Sequence, residues 1–131
     1  MSIPTLKINL TVAYSKEAGF SFNYENCEGG TVVVSQACYL EYNLIDKTDF
    51  DLSFAGVAFS DPFNNVITRV DLKKNTVTLM DPFSCNDKEV SFEFGFNIGH
   101  SPNGEDKHGL LLLSADPQVI NRDPGCPPPV A

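Results

Sequence analysis

The chain has 131 residues, a net charge of −8, a hydrophobic share of 42% and a charged share of 20%. That length suits one ordinary domain, and that balance excludes disorder along the whole chain. An acidic surface opposes a nucleic-acid backbone or an anionic membrane as main partner, and no apolar run nears the ~20 residues of a membrane-spanning helix.

Period two dominates from the start. Leu6, Ile8, Leu10, Val12 and Tyr14 alternate with Lys7, Asn9, Thr11 and Ala13, which predicts a half-buried strand. Residues 14–19 leave room for a single turn. Phe20, Phe22 and Tyr24 form a second alternating run, and Glu28-Gly29-Gly30 turns the chain into Thr31–Val34. Cys38, Leu40, Tyr42 and Leu44 make the next strand, closed by the polar turn Asp46-Lys47-Thr48-Asp49. Leu52 and Phe54 change phase to Val57 and Phe59, which predicts a bulge or close approach at Gly56.

Val66–Leu72 and Thr76–Met80 read as a hairpin around Lys73-Lys74-Asn75, with Asn75 suited to a left-handed position. Val90, Phe92, Phe94 and Phe96 give the clearest alternation of all. Leu110–Leu113 is wholly apolar and reads as an inner strand buried on both faces. Phe92, Phe94, Phe96, Leu110 and Leu112 are therefore expected in the core. Helical periodicity is nearly absent. Eight or nine short strands with regular turn signals predict an all-β fold, a single antiparallel β-sandwich of immunoglobulin-like type. The domain is expected to span residues 1–124. Residues 125–131, with Pro127-Pro128-Pro129, form a tail unfit for a central sheet.

Asp-Pro-Phe occurs at 61–63 and 81–83, each time after a strand. Asp caps a turn, Pro ends the ladder, and Phe63 and Phe83 are expected to plug the ends of the sandwich. The four cysteines, Cys27, Cys38, Cys85 and Cys126, have no C-x-x-C spacing, and the N-terminus has no signal-peptide pattern. Reduced thiols and a cytoplasmic location are the expectation.

Gly56-Val57-Ala58-Phe59, Pro62-Phe63-Asn64-Asn65-Val66-Ile67 and, above all, Leu112-Leu113-Ser114-Ala115-Asp116-Pro117-Gln118-Val119-Ile120-Asn121-Arg122 carry a resemblance to the DP-EP family. The resemblance runs from Val34 to Pro124. It implies a small bacterial β domain and brings no catalytic residue with it.

Motifs for hydrolase, nucleotide or zinc-protease chemistry are absent from the sequence. Asp46, Asp49 and Asp51 could offer oxygens to calcium, but lack the EF-hand spacing and include Lys47, so a solvated turn is expected. Tyr14, Tyr24, Tyr39 and Tyr42 lie on strands and suit packing more than sugar stacking. The densest polar cluster is Gly99–Gly109, which holds both histidines. His100, Glu105, Asp106 and His108 are the candidate ligand-binding residues, through contact with a ligand or a weakly held divalent metal. No catalytic residue and no cofactor is expected. The sequence thus reads as a non-catalytic binding or assembly module, with a protein partner or self-association and neither nucleic acid nor membrane. The alternatives are a metal-dependent binding module using the 99–109 loop and a small enzyme with a site assembled from distant residues.

Overall fold

A computed structural model describes residues 3–25, 27, 30–83, 88–100, 110–114 and 118–121. They form ten strands: β1 Thr5–Ser15, β2 Gly19–Tyr24, β3 Thr31–Val34, β4 Cys38–Asp46, β5 Leu52–Phe59, β6 Arg69–Leu72, β7 Thr76–Asp81, β8 Lys88–Ile98, β9 Leu111–Leu113 and β10 Gln118–Asn121. One sheet has the order β2-β1-β4-β7-β6. The other runs β3-β10-β8-β5, with β9 also on β8. Among the described residues no helix is long and apolar enough to cross a membrane.

The alternating runs become strands because each has one apolar face to bury. Ile8, Leu10 and Val12 of β1 meet Leu40 and Tyr42 of β4, while Val90, Phe92, Phe94 and Phe96 of β8 supply the opposite wall. Rings bridge the sheets: Phe94 lies 4.8 Å from Tyr42, and Phe22 stacks on Phe96 at 6.3 Å. The phase change in β5 is a bulge. Phe54 faces Phe96 and Gly56 faces Gly95, so Ala55 is the extra residue, and both Phe54 and Val57 point inward.

Several expectations are corrected. The sheets are mixed, not purely antiparallel: β1 runs parallel to β4 and β3 parallel to β10. Ten strands replace the expected eight or nine, because Gln118–Asn121 pairs with both β3 and β8. The hairpin of β6 and β7 forms, but β6 starts only at Arg69. Asn64 Oδ1 accepts the amides of Val66 and Ile67 and holds them in a turn. Asn75 is not left-handed. Positive φ among described non-glycine residues is confined to Asp49, Asp51 and Phe83. The hairpin tip is held from outside instead, by Leu44 N–H on the Asn75 carbonyl and Phe54 N–H on the Lys74 carbonyl.

Both Asp-Pro-Phe turns use the same device: Asp61 and Asp81 accept the amides of Phe63 and Phe83, each at 2.9 Å. Their rings differ. Phe83 packs on the core, but Phe63 is 87% exposed, and the buried Val66 and Ile67 close that part of the core. Leu110 is also no core residue, being 58% exposed. Leu111 and Leu113 are exposed too, and only Leu112 turns inward, opposite Phe96. The run fails to bury both faces because nothing among the described residues covers the outer side of the second sheet.

Ser114 joins β9 to the wall it flanks. Its buried hydroxyl accepts Phe94 N–H at 2.8 Å, and its own N–H donates to the Phe94 carbonyl at 2.9 Å. The side chain thus takes the place of a ladder carbonyl where β9 has ended. Ser114→Ala leaves a buried N–H without its acceptor. It should cost about 1–2 kcal/mol in a urea titration, and unchanged stability would refute this role.

Candidate functional site

Of the candidate site residues, His100 is described, while Glu105, Asp106 and His108 lie outside the described residues. The strands on either side of residues 99–109 pair: β8 meets β9 with Asn97 opposite Leu111. His100 N–H donates to the Phe50 carbonyl at 3.0 Å, which seats it on the loop between β4 and β5.

That loop is built around Asp46. Its Oδ1 accepts the Thr48 amide at 2.8 Å and the Thr48 hydroxyl at 2.5 Å, and its Oδ2 accepts the Leu52 amide at 2.9 Å. Thr48 Oγ1 in turn accepts the Phe50 amide. Phe50 packs its ring on Tyr14 and Phe20. Asp46 is therefore a strut between two strands of different sheets, with both oxygens engaged. Asp49 and Asp51 are left-handed, and Asp51 faces Lys74 at 3.9 Å. No group of three acidic, cysteine or histidine side chains among the described residues is arranged to hold a metal ion.

Burial pushes the Asp46 carboxyl up, but the bonds from Thr48 and Leu52 and the nearby His100 outweigh it and hold the pKa below the ordinary value. A lowered folded-state pKa gives stability that is complete above the unfolded value and is lost as pH falls through the folded one. The native chain should therefore lose stability on acidification below about pH 4. Asp46→Asn should be less stable at neutral pH and show a shallower loss across that window. Parallel pH curves for the two proteins would refute the strut.

Among the described residues, two shallow clefts flank the sheets. One, of about 300 Å³, is lined by Ala58, Phe59, Ser60, Ser91, Phe92 and Glu93. Within it the Ser60 hydroxyl donates to the Ser91 carbonyl. The other, of about 230 Å³, lies between Pro4–Leu6, Val33–Gln36 and Cys38. Burial and then Asp81 push the Cys38 thiol up to about 11, so it stays protonated at neutral pH and is a weak nucleophile. Tyr24 and Tyr42 are buried in packing roles, as expected of strand tyrosines.

The two outer faces differ in kind. By register, the first sheet presents Lys7, Asn9 and Thr11 beside Glu41, Asn43, Thr76 and Thr78, with Tyr39 and Met80 at one end and the exposed Ile45 at the other. Its polar groups bond to one another, Asn9 to Glu25 and Thr76 to Asn43. The second sheet presents Leu111 and Leu113 across Asn97 and Gly95, with Gly56 and Ala58 on β5, and Val33 beside Ile120 at its far end. Leu111 is 56% exposed, Leu113 54% and Val33 57%. Glu89 and Glu93 are the charged residues that register places on this face. Sequence reasoning missed this surface because it took Leu110–Leu113 as interior. The available signal was Gly95 inside a strand of phenylalanines, a mark of close approach from outside the sheet.

The model of the DP-EP family matches residues 4–123. No curated protein matches the chain. Among solved structures, the chain is similar to the inclusion body protein PixA from Burkholderia cenocepacia J2315, at 5% identity and a TM-score of 0.44, covering 94% of this chain and 98% of that one. It is also similar to the 2,6-sialyltransferase of Photobacterium sp. JT-ISH-224, crystallised with CMP and lactose, at 13% identity and a TM-score of 0.40. That likeness covers 95% of this chain and 19% of the enzyme.

Proposed function

The chain belongs to the DP-EP family, and for this member we propose a non-catalytic binding or assembly module whose contact surface is the outer face of the second sheet. One observation carries the reading: Leu111 and Leu113 stand more than half exposed on β9, beside Gly95 of β8 and with Gly56 and Ala58 beyond it on β5, while the other sheet's outer face is mostly polar, with Ile45 its exposed aliphatic side chain. Exposed leucines on one face cost solubility unless something covers them, and a protein surface is what suits a flat apolar sheet. The protonated Cys38 thiol and the internal use of Asp46 and Ser60 fit a binding role. The proposal includes an immunoglobulin-like sandwich, supported by the bulged second sheet and the aromatic core shared with the first. It also includes a cytoplasmic location.

The test is recovery of complexes from native cells with a tagged chain. Leu111→Asn/Leu113→Asn should abolish recovery, and Asn9→Ser/Thr78→Ser on the polar face should leave it intact. Recovery unaffected by the leucine pair would sink the reading. The cytoplasmic location has its own measurement: thiol titration of freshly lysed, denatured protein should find all four cysteines reactive, and two or fewer would contradict it.

A further inference from the structure

Resting on the reading of Leu111 and Leu113 as part of a contact surface, we infer that the partner engages this chain by adding an extended strand to the open edge of β9. Register locates that edge. Ser114 N–H donates to the Phe94 carbonyl and Leu112 lies opposite Phe96, so Ser114 and Leu112 direct their main-chain groups at β8. Main-chain direction alternates along a strand, so the N–H and carbonyl groups of Leu111 and Leu113 point away from β8. Among the described residues no strand pairs with that side of β9.

The sheet leaves a place for the strand. On the side of β8 away from β5, β10 covers Lys88–Ser91 and β9 covers Gly95–Asn97. β3 extends the sheet beyond β10 alone, so the row beyond β9 is empty among the described residues. β5 lies against β6 on one flank, which sets β2, the far edge of the first sheet, over that row on the other. Phe22 of β2 stacks on Phe96 and, like Leu112, is only half-buried. An incoming strand therefore meets donors and acceptors at its edge, Phe22 and Leu112 on its inner side, and Leu111 and Leu113 level with its outer side. An extended main chain is the chemistry that satisfies an open strand edge, and apolar side chains suit this setting. The chain carries −8, which selects Lys or Arg at the ends of the segment and makes salt weaken the contact. An edge of three residues spans about 10 Å, so strand addition here needs only a short segment.

The experiment titrates the full chain with the peptide Lys-Val-Thr-Val-Thr-Val-Lys, blocked at both ends, and follows amide signals and their exchange by NMR. In the free chain the Leu111 and Leu113 amides should exchange rapidly. Slow exchange would mean an edge already paired, and overturns the proposal. The peptide should bind in the submillimolar range, slow the exchange of those two amides and bind more weakly in added salt. Its analogue N-methylated at the five central residues keeps the side chains and loses the donors, and should bind at least ~10-fold more weakly. Leu113→Pro removes an outward N–H without touching the bonds to β8 and should weaken binding at least ~5-fold, whereas Leu113→Val keeps the amide and should bind like the native chain. Both variants should keep the native far-UV spectrum. No binding up to millimolar peptide, or equal binding of the two peptides, overturns strand addition. Binding that ignores N-methylation but is lost in Leu111→Asn/Leu113→Asn leaves the contact surface standing without the strand. Binding that ignores both N-methylation and the leucine pair counts against the surface as well.

Discussion

Replacing Phe94 by alanine should cost about 3–5 kcal/mol, the usual range for emptying a fully buried phenylalanine site. Phe94 is 0% exposed and lies at the centre of the aromatic core, 4.8 Å from Tyr42 and 5.4 Å from both Phe54 and Phe92. Those three rings come from β4, β5 and β8 itself, so collapse around the cavity would require both sheets to move. The backbone of Phe94 also anchors Ser114 through two hydrogen bonds. A loss of this size is a large part of the ~5–15 kcal/mol by which domains are stable. A urea titration should show a much lower midpoint with an unchanged slope. A change under ~1 kcal/mol would mean that Phe94 is not the hub of the core.

Gly99→Ala should be the most damaging change outside the core, at about 2–3 kcal/mol, the cost of forcing an atom into occupied space. A Cβ at Gly99 would stand 2.6 Å from the Asp51 carbonyl oxygen, 2.6 Å from its Oδ2 and 2.8 Å from its Cβ. The carboxylate can swing away, but the main-chain oxygen cannot without moving the whole 46–51 loop. Gly99 N–H donates to the carbonyls of Phe50 and Asp51, each at 3.0 Å, so the clash falls on the bonds that seat this junction. The His100 amide should then exchange faster with solvent. Gly56→Ala is the control. With open space around it, that change should be neutral or stabilising by up to ~1 kcal/mol through the unfolded chain. Equal effects of the two substitutions would show that close approach at Gly99 plays no part.

These outcomes separate what local pattern encodes from what neighbours decide. Alternation marked β1, β4 and β8 because side-chain period two is a property of the strand itself. The phase change at Leu52-Phe54 and Val57-Phe59 marked the bulge for the same reason, since both halves must bury one face. The Asp-Pro-Phe turns were legible as capped turns. The fate of their rings was not: Phe63 is exposed and Phe83 packs on the core. An Asx turn fixes the backbone and leaves the ring to whatever lies beyond it. Of the candidate site, His100 was legible as a polar residue at a loop base. Its seat on Phe50 was not, because residues 50 and 100 meet only when β5 and β8 pair.

By itself the sequence determined an all-β chain, the buried alternation of Phe92, Phe94 and Phe96, a bulge beside Gly56 and the membership signalled by the Leu112–Arg122 motif. Those are local or compositional properties. Tertiary structure alone decided that β1 and β3 find parallel partners, that Gln118–Asn121 is a strand between β3 and β8, and that Leu111 and Leu113 look outward. The physical reason is that apolar character states a preference for burial, whereas burial requires a second layer. The inner side of the second sheet has one, formed by Tyr42 and its neighbours. Its outer side has Gly95 beside Leu111, Gly56 across β8, and no layer above them among the described residues.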